Sequence, residues 1–187
     1  PGVSNQRTGF IGTLSGTVKN LTVTGTLHSE AVSESYAGGI VGYADEGAHI
    51  ESCVNEVVVD AVSSVYAGGI AGGVNKAFVK GCTNTASITA NKAGGIVGKI
   101  VTTSSLKSAD PTIQDCRNTG AIKSEGTIAG GIVAETGGTL LRITGCVNTG
   151  TVTLQMSSSS SGYAGGIAAY VGLSSGRGNS FELTDCR

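Results

Sequence analysis

Ala-Gly-Gly begins at Ala37, Ala67, Ala93, Ala129 and Ala164, and each copy runs on into an apolar pair: Ile40 and Val41, Ile70 and Ala71, Ile96 and Val97, Ile132 and Val133, Ile167 and Ala168. The starts lie 30, 26, 36 and 35 residues apart. A chain built from five copies of one unit folds by giving each copy the same local structure and stacking the copies, so the repeat constrains the fold before any single residue does.

Each unit also carries one cysteine: Cys53, Cys82, Cys116, Cys146 and Cys186. The first four are followed two positions later by Asn55, Asn84, Asn118 and Asn148. A degenerate sixth unit, residues 9–36, precedes the others; there Phe10, Ile11 and Gly12 take the glycine-strand place and Leu21 stands where the cysteine is expected. The chain thus reads as a single repeat domain over 1–187, with further units starting near 37, 67, 93, 129 and 164. The last unit stops soon after Cys186, which carries the expectation that the natural protein is longer, because solenoids need caps.

The local pattern is strand throughout. AGGIVGY is a short apolar run, HIESC and TIQDC alternate polar with apolar, and EVVVDAV is rich in β-branched residues. No window shows helical periodicity, and glycine, 31 of 187 residues, interrupts every candidate. Serine- and threonine-rich stretches at 102–111 and 157–162 supply turns and absorb the variation in unit length. A propeller would need longer, more uniform repeats. The pattern predicts an all-β, repetitive β-solenoid, parallel β-helix-like, of about six coils of 26–36 residues, with roughly 29 Å of stack at about 4.8 Å per coil. It further predicts a glycine ladder at Gly38, Gly68, Gly94, Gly130 and Gly165, an aliphatic ladder at Ile40 and its equivalents, and a cysteine ladder. Such a narrow coil explains why aromatics are 4% and tryptophan is absent.

Candidate chemistry is sparse. The cysteines have no CxxC or Cys/His spacing, so they read as an inward column of small apolar thiols; stacking also permits a disulfide between neighbouring coils, with one thiol left over. The asparagines read as a ladder or as turn residues. Tyr36, Tyr66 and Tyr163 all precede an AGG and either pack at the start of a coil or form a short exposed stacking column. His28 and His49 fall outside the repeated positions and read as surface residues. Asp45 and Glu46, or Glu51 and Asp115 at polar strand sites, are too scattered for the paired carboxylates of a glycosidase. AGGIVGK at 93–99 lacks P-loop spacing, and Thr22, Thr24, Thr26, Thr151 and Thr153 are too few for an ice-binding face. A net charge of -1 with charged residues at 13% leaves no basic footprint for nucleic acid, and no apolar run is long enough for a transmembrane helix. The expectation is therefore no catalytic residue, no metal and no cofactor.

The order GGIVG, polar strand, CxN and often TG, seen in AGGIVGYADEGAHIESCVNEVVV, in AGGIVGKI with IQDCRNTGAI, and in AGGIVAE with ITGCVNTGTV, resembles the GLUG repeat family. The resemblance spans nearly the whole chain from Gly9; Leu21 departs from the pattern, as do Ala134 and Ala169, which stand where the pattern ends in glycine. It implies a non-catalytic structural or adhesive module of a bacterial surface or secreted protein, extracellular, monomeric within a longer chain, and facing a host glycoprotein, glycan or cell-wall component. An alternative is an accessory substrate-positioning domain of a larger secreted protease, since GLUG repeats resemble the non-catalytic region of immunoglobulin-A-cleaving metalloproteases; this chain has no HExxH. A third reading is a polysaccharide lyase or hydrolase on a β-helix, which requires acids from neighbouring rungs in one groove.

Overall fold

The computed structural model describes residues 6–30, 34–101, 112–138, 140–156, 161–173 and 180–187; the polar stretches expected as loops at 102–111 and 157–160 lie outside the described residues. The described chain forms three parallel sheets and contains no helix. Each coil crosses each sheet once and returns one rung higher, as the repeat predicts.

The second sheet takes the strands that follow each AGG: Ile11–Leu14, Val41–Ala44, Ala71–Asn75, Val97–Val101, Val133–Gly138 and Ala168–Leu173, stacked in chain order. The third sheet takes the alternating polar strands, Thr17–Lys19, His49–Glu51, Phe78–Lys80, Thr112–Gln114, Leu140–Thr144 and Ser180–Thr184. The first sheet is the broadest, and in one coil it runs without interruption over Val54–Gly68. Register follows the sequence repeat: Ala37 pairs with Ala67, Ala67 with Ala93, Ala93 with Ala129, and Ala129 with Ala164. Coil 1 joins in the expected phase, with Ile11 against Val41 and the Leu21 carbonyl accepting from the Val54 amide just as the Cys53 carbonyl accepts from Thr83.

Three aliphatic columns fill the interior. Ile40, Ile70, Ile96 and Ile132 line the bend after AGG, Ile50, Val79, Ile113 and Ile143 come from the third sheet, and Val59, Ile88 and Ile122 from the first; all are essentially fully buried. At about 1.5–3 kcal/mol per buried branched side chain, these columns are the main favourable term opposing chain entropy.

Unit length varies without disturbing the columns. Five positions separate Ala61 from Tyr66, yet only two separate their partners Ala90 and Lys92, so the first sheet absorbs three residues as a bulge. One more is taken up between the second and third sheets, where five positions separate Ala44 from His49 and four separate Val74 from Phe78. Together these account for the difference between the 30- and 26-residue units.

A feature that the motif reading did not extract sits just before each cysteine. Asn20, Ser52, Gly81, Asp115, Gly145 and Asp185 all have φ between 53° and 65°, the left-handed region. Each ends a third-sheet strand and turns the chain inward, and all but Ser52 are the residue types that tolerate this conformation best. Asp115 is therefore a turn residue, one position out of phase with Glu51, and the two do not share a strand site as the sequence suggested. The predicted AGG glycine column, by contrast, does not have positive φ; its glycines are there for space.

Candidate functional site

Three columns of repeated residues, of glycine, asparagine and cysteine, and one surface groove account for the repeated positions. A Cβ at Gly38 would strike the Val41 carbonyl and, 2.7 Å away, the Gly72 amide; Gly68, Gly94, Gly130 and Gly165 meet the same obstacle in their own coils. The bend thus folds the chain back so sharply that the outer faces of two successive strands meet backbone to backbone.

The second glycine of each pair makes room for the asparagines. A Cβ at Gly39 would collide with the Asn55 amide, at Gly69 with Asn84, at Gly95 with Asn118 and at Gly131 with Asn148. Asn55, Asn84 and Asn118 are fully buried. Asn55 Nδ2 donates to Asn84 Oδ1 at 2.7 Å, Asn84 to Asn118 at 2.7 Å and Asn118 to Asn148 at 2.8 Å, while each Nδ2 also donates to the carbonyl two residues ahead at 2.9–3.1 Å. The ladder and the turn proposed as alternatives are one structure.

The cysteines stack inside as expected. All five are free thiols; Cys53, Cys82, Cys116 and Cys146 are buried and Cys186 is partly so. Each Sγ donates to the carbonyl two residues back, at 3.2–3.5 Å, and more weakly to a carbonyl on the preceding rung. Hydrogen bonding with the Cys146 and Cys82 thiols, reinforced by burial, pushes the Cys116 thiol well above its ordinary pKa. Burial does the same for Cys53 and Cys186.

Outside the AGG bend, two side-chain columns face each other along the axis. One wall is Arg7, Tyr36, Tyr66, Lys92, Ile128 and Tyr163. The opposite wall is Thr13, Tyr43, Gly73, Lys99, Glu135 and Tyr170. All five tyrosines of the chain are in these two columns. Tyr36 stacks on Tyr66 at 5.8 Å between centroids and meets Tyr43 edge-on at 5.0 Å, but Tyr66 and Tyr43 are buried, so these rings pack within the walls and do not form the exposed stacking column offered as the other reading. Gly73 leaves the gap that the Tyr36 and Tyr43 rings occupy. Tyr163 does not extend that stack: Lys92 and Ile128 intervene, and its ring instead packs against Tyr170 at 4.9 Å.

At mid-groove, Lys92 and Lys99 sit over the Tyr66 ring at 4.3 and 4.4 Å. Lys92 also bonds the Tyr66 hydroxyl and Glu135, and Lys99 bridges Glu34 at 2.6 Å and Glu135 at 3.6 Å. Burial works to lower both lysine pKa values, but hydrogen bonds to Tyr66 and to Glu34 or Glu135 outweigh it and raise them. The Glu34 carboxyl is held below its usual range, chiefly by its bond from Lys99, and burial pushes the Tyr36 hydroxyl up to about 12. A cavity of about 370 Å³ opens here, lined by Glu34, Tyr66, Asn91, Lys92 and Lys99.

The remaining candidates are engaged elsewhere. His49 stacks on Phe78 at 4.8 Å and pairs with Glu51 at 3.3 Å; His28 lies between Asp60 and Glu30, each at 3.2 Å; Asp45 accepts from Ser15, and Glu46 pairs with Lys76. Among the described residues no group of three or more His, Cys, Asp or Glu is placed to hold a metal ion, and no helix is long and apolar enough to cross a membrane. Compared with protein-family models, with curated proteins and with solved structures, the chain finds no match. The fold and the groove are what define it: a parallel β-solenoid with a tyrosine- and lysine-lined furrow along one edge.

Proposed function

We propose that this chain is a non-catalytic structural and adhesive module of a bacterial surface or secreted protein, of the kind that GLUG repeats build. The supporting observation is the continuity of the inner columns: the glycines, cysteines and asparagines that give the repeat its signature pack or hydrogen-bond along the stack. Four of the five thiols are buried inside the coil, and a thiol shielded from solvent is protected from oxidants and exchange partners in an extracellular setting.

Antibodies raised against the folded chain test the location: labelling of intact, unpermeabilised source cells or capture from their medium is the expected result, and signal confined to permeabilised cells overturns it. The accessory-domain alternative uses the same module in another setting, and an HExxH domain in the same polypeptide would decide for it.

A further inference from the structure

We propose that the groove beside the AGG bend binds one uncharged, hydroxyl-rich glycan chain laid along the solenoid axis; the assignment rests on the adhesive-module reading and names its ligand class. The interior is filled by aliphatic side chains, cysteines and asparagines, yet all five tyrosines lie on the two walls of one furrow. The furrow exists because the bend glycines let the outer faces of successive strands converge. The strands of both walls are bonded to neighbouring rungs, so a peptide lying in the furrow has no sheet edge to extend and a ligand there is recognised through side chains.

Those side chains select a chemistry. Tyr66 and Tyr43 are buried in the walls beneath Lys92, Lys99 and Arg7, so the faces left for the apolar side of a sugar ring are those of half-buried Tyr36 and exposed Tyr163 and Tyr170, and around them the ammonium groups of Lys92 and Lys99, the Asn91 amide and the Glu34 and Glu135 carboxylates offer both donors and acceptors to hydroxyls. At mid-groove the two lysines balance the two glutamates and Arg7 adds a single positive charge at one end, so neither a polyanion nor a polycation finds walls of uniform opposite charge. The rungs recur at about 4.8 Å, close to the length of one sugar unit, so a chain laid along the axis meets about one pair of wall residues per monomer. The 370 Å³ cavity gives the middle of the chain a seat, and Tyr163 and Tyr170, 45% and 38% exposed, extend the platform at one end.

The test is titration calorimetry of the full chain with cello-, xylo-, manno- and chitohexaose, with polygalacturonate and a chitosan oligomer as charged counterparts. The expected result is saturable binding of at least one uncharged hexasaccharide, at least tenfold weaker in Tyr36→Ala and several-fold weaker in Glu34→Gln, and unchanged in Phe78→Ala on the third sheet. Glu34 is half exposed, so its variant keeps the test interpretable if Tyr36→Ala fails to fold. Binding of the charged polymers alone, no binding of any uncharged hexasaccharide at millimolar concentration, or binding indifferent to the groove variants overturns the assignment. A hexasaccharide that binds through the groove and is cleaved, as read by mass spectrometry, upholds the assignment and overturns only the non-catalytic reading.

Discussion

At the scale of single residues, the second glycine of the first four AGG copies and the asparagine after the first four cysteines are two halves of one contact. Coil 1 is an internal control: Val23 occupies the asparagine position against Asn55, and between Thr8 and Ile11 the bend is one residue shorter than between their partners Ala37 and Val41. Where the amide is missing, so is the glycine pair that houses it. Gly69→Ala should therefore cost about 3 kcal/mol by overpacking and Asn84→Ala about 2 kcal/mol by orphaning its ladder partner. The double variant should fall short of the sum by about 1 kcal/mol, measured by chemical denaturation. The cysteine column makes a simpler demand. Cys116→Asp should lower stability by about 3 kcal/mol or more, because it buries a charge without a partner, and Cys116→Ser by about 1 kcal/mol; equal denaturation midpoints for wild type and the aspartate variant would refute the inward placement. The ladders were legible in the sequence because identical residues recur in phase. Their coupling was not, because Gly39 and Asn55 are sixteen positions apart and only the closed coil brings them together.

At the scale of elements, the left-handed residue that ends each third-sheet strand fixes where the chain turns inward. Asp115→Val should cost about 1–2 kcal/mol, the penalty for a branched residue at positive φ, whereas Asp115→Gly should be neutral or mildly stabilising; thermal midpoints of the two variants check this. That column, Asn20, Ser52, Gly81, Asp115, Gly145 and Asp185, was readable in principle as a run of turn-forming types, but the residues differ, so a search for identity passes over it. The groove was half legible. Tyr36 and Tyr66 share a repeat position, but Tyr43, Lys99, Glu135 and Tyr170 belong to the opposite wall, seven positions further on, and meet the first wall only because the bend closes outward. Its ion pairs also set a pH dependence. The Glu34 contribution is complete above the ordinary carboxylate value of 4.5 and is lost as pH falls through its depressed folded value. Lys99, raised, contributes fully below its ordinary value and loses that contribution only in strong alkali. Glu34→Gln should accordingly lower stability slightly at neutral pH and make no difference in strong acid, where the wild-type contribution is already lost; the effect is small because the Glu34 carboxylate is half exposed.

At the scale of the whole molecule, the chain is a column of near-identical rungs in which each coil contacts its neighbours and little else, so its stability is close to a sum over coils and interfaces. Fold class was the most legible property, because a repeat with no helical periodicity and one glycine in six leaves few ways to stack. The arrangement of the sheets, and with it the furrow, was not, because it depends on which side of each strand the bends close. The in-register parallel pairing also has a mechanical meaning. The backbone hydrogen bonds run along the axis, so tension between the two ends peels one coil at a time and breaks a single rung's bonds instead of shearing many at once. Pulled by its ends in a force spectrometer, the chain should lengthen in a train of low, similar steps, each releasing about one unit of 26–36 residues; one tall rupture would contradict it. A column of this kind gives way and re-forms coil by coil, so it answers tension by changing length at a nearly constant force.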